Sequence, residues 1–150
     1  MPVRLATTAD LDAIAEMAAT FMDCTRYAAK LAPTVNDFRS SFAVILDQGR
    51  IWVAEVDGVV CGFLAGMVGP FWFLPTERYA LEVAWWMDPA YRGRPEGVRL
   101  LFEFERWAKE HKVAAICMSD IVIKGESAAE RILQRLGYSM TERTFVKGLG

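Results

Sequence analysis

Histidine is almost missing from this chain and cysteine is scarce: one histidine and three cysteines stand among 150 residues. A lone imidazole, His111, leaves no histidine-rich metal site to build, and no metal is expected. Cys24, Cys61 and Cys117 are odd in number, far apart and without a closely spaced pair. That excludes a disulfide framework and reads as reduced thiols in a cytoplasmic protein. A basic surplus is also missing. Lys and Arg total 17 against 19 Asp and Glu, a net charge of -2, whereas a general nucleic-acid binder carries a clear positive excess. Nor is there a long hydrophobic run. The longest apolar passage, VVCGFLAGMVGPFWFL, is broken by three glycines and a proline, and the opening MPVRLATTADL has no apolar signal core. These absences point away from membrane and nucleic acid.

What remains is an ordinary globular composition, 53% hydrophobic and 24% charged, with a length that suits one domain over residues 1–150. Residues 3–6 alternate as a short strand. Leu11, Ile14, Ala15, Ala18, Phe21 and Met22 then recur at helical spacing, with Thr7 and Asp10 spaced as a capping box. Asn36 or Asp37 caps a second helix that runs to Leu46 and is stopped by Gly49. Residues 50–56 and 59–68 read as strands joined by the tight-turn pair Asp57-Gly58. An aromatic loop over residues 69–78 leads into a strand over 79–87. There Leu81, Val83, Trp85 and Met87 share one face, and Glu82, Ala84 and Trp86 the other. A helix ends near His111, and residues 113–119 form a strand apolar enough for burial on both faces. Ser127 caps a last helix with the stripe Ala128, Ala129, Ile132, Leu133 and Leu136, stopped by Gly137. Residues 138–140 and 144–146 suggest a closing hairpin. The whole is an α/β domain with a mixed sheet.

The entrance to the third helix, YRGRPEGVR, concentrates chemistry. Arg92, Gly93, Arg94, Pro95, Glu96, Gly97, Val98 and Arg99 follow directly on a strand. A helix start offers unpaired N–H groups and a positive dipole end, glycines allow close approach, and arginines add charge and forked donors. This suits an anion such as a phosphate. The bland alternative is a basic loop that merely begins a helix.

The order of elements, and the phrase WWMDPAYRGRPEGVRLLFEFERWAKE, resemble the GNAT superfamily of N-acetyltransferases over nearly the whole chain. That family's loop reads Q/R-x-x-G-x-G/A and binds the pyrophosphate of coenzyme A. Arg92 matches its first position and Gly97 its last. The segment ESAAERILQRLGYS is similar to the family's N-x-x-A-x-x-x-Y-x-x-x-G-F, with Ala129, Gly137 and Tyr138 on its A, G and F. FEFERWAKE and the tryptophan pair look most like members encoded by tailed phages. The resemblance implies a mixed, mostly antiparallel central sheet flanked by about four helices, and acetyl-CoA as cosubstrate. It also implies transfer of acetyl to the primary amine of a small molecule or protein by direct attack. Trp85, Trp86 and Met87 would meet the pantetheine arm and thioester through their main chain. Residues 92–99 would hold the pyrophosphate.

Two positions depart from the pattern. Pro95 replaces the first glycine and has no N–H to give, although its fixed φ suits a first helical turn. Leu133 and Glu126 replace the tyrosine and asparagine of the last motif, so the usual proton donor is missing. Ser119, Cys117, Tyr138 or water could stand in, or each could be simple packing. A base is useful because an amine near pKa 10.4 is mostly charged at neutral pH. Glu82 is the candidate, the alternatives being a solvated acid or an ion pair with Arg78; Glu77 is the second. Phe71, Trp72 and Phe73 could wall an acceptor pocket, cover a homodimer interface or roof the core. A catalytically weakened protein that binds a partner through these aromatics is the competing function.

Overall fold

A computed structural model describes residues 2–121 and 127–148. Five strands, β1 (Val3–Leu5), β2 (Arg50–Val56), β3 (Val59–Phe71), β4 (Leu74–Met87) and β5 (Ala115–Cys117), lie in sequence order across one sheet. The first four are antiparallel neighbours, and β5 joins β4 in parallel. The helices are α1 (Leu11–Asp23), α2 (Val35–Gln48), α3 (Glu96–Glu110) and α4 (Ala128–Arg135). The mixed, mostly antiparallel sheet with four helices is the expected fold class.

Local chemistry explains the element ends. The Thr7 N–H donates to the Asp10 carboxylate at 2.8 Å, closing the expected box. Arg4 clamps that same carboxylate at 2.9 Å and Glu55 at 2.7 Å, tying β1 to β2 and to the start of α1. Helix α2 is capped by Thr34 rather than Asn36 or Asp37. The Asp37 N–H donates to the Thr34 hydroxyl, and the Asp37 carboxylate accepts from the Thr34 N–H at 2.7 Å, so Asp37 is the third helical residue of the box. Asp57 and Gly58 both take positive φ, 50° and 78°, as a tight hairpin requires.

Alternation along the strands feeds two cores. Ile51, Val53, Phe63, Ala84 and Trp86 pack against Ile14 of α1 and Phe42 and Ile45 of α2. Trp52, Leu64 and Ala80 pack against Leu100, Phe104 and Trp107 of α3, and Leu133 of α4 closes that layer.

Besides the α2 cap, three readings are corrected. Residues 69–78 are no loop: β3 and β4 run on to a tip at Trp72 and Phe73, where Phe71 stacks on Tyr79 with centroids 4.8 Å apart. Cross-strand aromatic contacts pair what the glycine and prolines in that stretch suggested was irregular. Strand β5 is short, half-buried and at the sheet edge rather than covered on both faces. The closing hairpin is also not formed: residues 138–148 carry no strand. Glu126 lies outside the described residues.

Candidate active site

The β4–β5 ladder pairs Tyr79 with Ala115, Ala80 with Ile116 and Leu81 with Cys117, and then stops. From Glu82 to Met87, β4 therefore pairs only with β3, leaving about 20 Å of strand edge at roughly 3.3 Å per residue. A second irregularity coincides with the point of parting. Gly66 lies opposite Glu82 while its neighbour Ala65 lies opposite Ala84, so Val83 is the extra residue of a bulge.

The bulge changes which way Glu82 points. Ala84 and Trp86 belong to the α1–α2 core and Ala80 to the α3 core, so the alternation of β4 switches at Val83. Residues directly opposite in an antiparallel pair share a face. A Cβ on Gly66 would meet the Phe104 ring at 2.4 Å, which puts the face of Gly66 and Glu82 toward α3. Glu82 thus sits with Ala80, and does not share the face of Ala84 and Trp86 as the plain pleat required.

Glu82 is 5% exposed. One carboxylate oxygen accepts the Ser119 N–H at 3.0 Å, across the gap where the strands part. Burial pushes its pKa from 4.5 up to about 7; the Ser119 bond opposes this, and nearby Asp120 adds to it. The solvated-acid and Arg78 alternatives fall away, since the Arg78 guanidinium donates to the His111 carbonyl. Ser119 joins the site by its main chain. Asp120 was not singled out by sequence reasoning; its signal was an acid just past a short strand.

The other proton-donor candidates are placed elsewhere. The Tyr138 hydroxyl donates to Glu105 at 2.8 Å, and burial with that partner raises its pKa far above the ordinary phenol range, making it a poor acid. Burial raises the Cys117 thiol, helped by Glu142. Leu133 is core. Glu77 is exposed, about 17 Å of strand before Glu82. Phe71, Trp72 and Phe73 come together at the hairpin tip, but roughly 27 Å of extended chain separates Leu74 from Glu82. Trp72 is 91% exposed.

The free edge of β4 leads to the start of α3. The first helical bond there is Arg99 N–H to the Pro95 carbonyl at 3.0 Å, so the N–H groups of Glu96, Gly97 and Val98 have no acceptor within the helix. Pro95 holds φ -67° at the cap, where its missing N–H removes one donor of the set. The Trp85 indole donates to the Gly97 carbonyl at 3.0 Å and pins this turn to the sheet. Gly93 takes φ 80°, a conformation that side chains rarely adopt, and a side chain on Gly97 would press on the Met87 side chain at 3.2 Å. Trp86 is the core member of the pair, stacked near Phe21 and donating to Asp88 at 3.0 Å. Arg92 lies over the Trp86 ring at 4.6 Å and donates to the Met87 carbonyl, while Arg94 lies over Tyr91 at 5.3 Å. Arg99 is exposed, and one Glu96 oxygen is buried without a partner. An extended ligand with an anionic end fits this edge and helix start. Among the described residues no group of three His, Cys, Asp or Glu could hold a metal, and no helix is long and apolar enough to cross a membrane.

Residues 12–138 match the model of the Acetyltransferase (GNAT) family. No curated protein sequence matches the chain. Among solved structures it is similar to a transcriptional regulator from Bacillus halodurans, at 22% identity and TM-score 0.76 over 98% of each chain. It is similar to a protein described as a predicted acetyltransferase, with acetyl-CoA, from Clostridium acetobutylicum. That match has 16% identity and TM-score 0.73 over 97% of this chain and 94% of the other. An aminoglycoside N-acetyltransferase in complex with CoA matches at 15% identity and TM-score 0.74, over 97% and 91%. At these identities the likeness is one of fold. The matches give no support to the likeness with phage-encoded members.

Proposed function

The chain belongs to the acetyltransferase (GNAT) family, and on that premise we propose that it transfers an acetyl group from acetyl-CoA to a primary amine of a small molecule or protein. The observation that carries the reading is Glu82, a buried carboxylate with pKa about 7 at the point where β4 and β5 part. Two solved relatives in fold are named with acetyl-CoA or CoA, which supports that cosubstrate.

Acetyl-CoA, when bound, supplies the acetyl group as an activated thioester. Trp85 and Met87 would pair their main chain with its extended arm along the free edge, and the N–H groups near Trp86 and Met87 would polarise the thioester carbonyl. The helix start at Glu96, Gly97 and Val98, with Arg92, Arg94 and Arg99, would hold its phosphates. Glu82, ionised above about pH 7, would take the proton that the amine sheds as its nitrogen bonds to the acetyl carbon and the carbon–sulfur bond breaks. The leaving thiolate then takes a proton from water, giving the amide and free coenzyme A. Charge and proton balance without any further reactant.

Calorimetry with acetyl-CoA, followed by thiol release against a panel of amines, tests this. Binding with amine-dependent release is expected, and an absence of coenzyme binding overturns it. A second reading has its own observation, the exposed Trp72 and Phe73 tip. A catalytically weakened protein that engages a partner or a second copy through this tip would bind coenzyme and release no thiol with any amine.

The helix start supports a sharper expectation. Arg92→Ala and Arg94→Ala should each weaken coenzyme affinity, by about three- to tenfold for a partly exposed charge contact with phosphate. Pro95→Gly restores an N–H and should leave affinity equal or better, the gain being offset by added chain freedom. Unchanged affinity in both arginine variants would remove the cradle.

A further inference from the structure

The surroundings of Glu82 say more about the acceptor than that it is an amine. One Glu82 oxygen holds the Ser119 N–H, and the other has no protein partner among the described residues. The charged side chain that bears on this buried carboxylate is itself an acid, Asp120. Asp120 is exposed, and its Oδ1 is fixed by the Ser127 hydroxyl at 2.7 Å. Among the described residues no lysine or arginine pairs with either carboxylate. A buried carboxylate beside a second one, with no lysine or arginine among the described residues paired to either, is costly and is relieved by a cation from outside. A metal ion is a poor candidate, because among the described residues no third ligand completes a site. An organic ammonium needs only the two.

Resting on the transferase reading above, we infer that the acceptor is a diamine or longer oligoamine, its reactive nitrogen at the free oxygen of Glu82 and its second ammonium on Asp120. Asp120 is thus a specificity-determining residue, and Ser127 positions it.

Thiol release with 1,4-diaminobutane and with butylamine separates these roles. The kcat/KM ratio of diamine to monoamine is expected to be on the order of tenfold in the wild type and to fall toward one in Asp120→Asn, the scale of one charge pair partly removed from water. Ser127→Ala, which frees Asp120 without removing its charge, should give an intermediate ratio. A wild-type ratio near one, or an Asp120→Asn ratio equal to the wild type's, overturns the inference and leaves the transferase reading standing. The converse is read by calorimetry of 1,4-diaminobutane into the protein with coenzyme A. Asp120-dependent binding without turnover of either amine would sink the transferase reading and keep the cation site. No diamine binding and no turnover would sink both.

Discussion

Glu82→Gln is expected to lower kcat/KM for amines by about 10²- to 10⁴-fold, the usual worth of a positioned general base, and to make the protein more stable at alkaline pH. Both effects come from the same burial. A carboxyl whose folded pKa is raised favours the native state while it is protonated. Its contribution is fully present below the unfolded value of 4.5 and is lost as pH rises through about 7. The shift corresponds to a loss on the order of 3 kcal/mol at about 1.4 kcal/mol per unit. Glutamine is neutral throughout and can still accept from Ser119 N–H, so the variant escapes that loss. Urea midpoints at pH 4 and pH 8 should therefore nearly coincide for the two proteins at the lower pH and diverge at the higher, with the variant ahead. The wild-type kcat/KM should rise with pH through about 7. Turnover of the variant within threefold of wild type would remove Glu82 as the base. A stability difference that is the same at both pH values would remove the account of its burial.

Gly66→Ala carries the second large effect. The added Cβ would stand 2.4 Å and 2.8 Å from two ring carbons of Phe104. That ring is fully buried between Trp52 and Trp107, each with its centroid 6.1 Å away, and has no open side to turn toward. Overpacking of this kind costs about 1–3 kcal/mol, or roughly 2–4 °C of melting temperature per kcal/mol for a chain of this size. Because Gly66 lies opposite Glu82, any shift of β3 or α3 that relieves the clash also moves the base, and activity should fall with stability. The control is Phe104→Leu, which alone leaves a small void. Combined with it, Gly66→Ala should cost less than it does alone, a coupling of about 0.5–3 kcal/mol. Strictly additive melting shifts would mean that the ring contact is not the cause.

The contrast between Gly66 and Gly97 shows how much could be read ahead. Gly97 was legible because it falls in a local pattern of glycine, arginine and helix start, and a helix start presents its N–H groups whatever surrounds it. Gly66, a strand glycine of the kind that marks a bulge or a close approach, does mark both, but which group approaches, a ring on α3 some forty residues away, was not legible. The aromatic tip misled for a related cause. Glycine, proline and serial aromatics read locally as loop, whereas pairing of Pro70 with Arg78 and stacking of Phe71 on Tyr79 hold them in a hairpin. The expected closing strands likewise had adequate local patterns, but residues 138–148 take no place in the sheet.

Hydrophobic spacing, caps and turn residues are properties of neighbouring residues, so the sequence by itself determined the order of elements as far as α4, the α/β class and the basic start of α3. The facing of Glu82 was decided only by the tertiary structure. A one-residue bulge at Val83 reverses the alternation of β4, and the parting of β5 brings Ser119 N–H and Asp120 to the same carboxylate. Register and strand divergence depend on partners distant in the chain, and no local spacing encodes them.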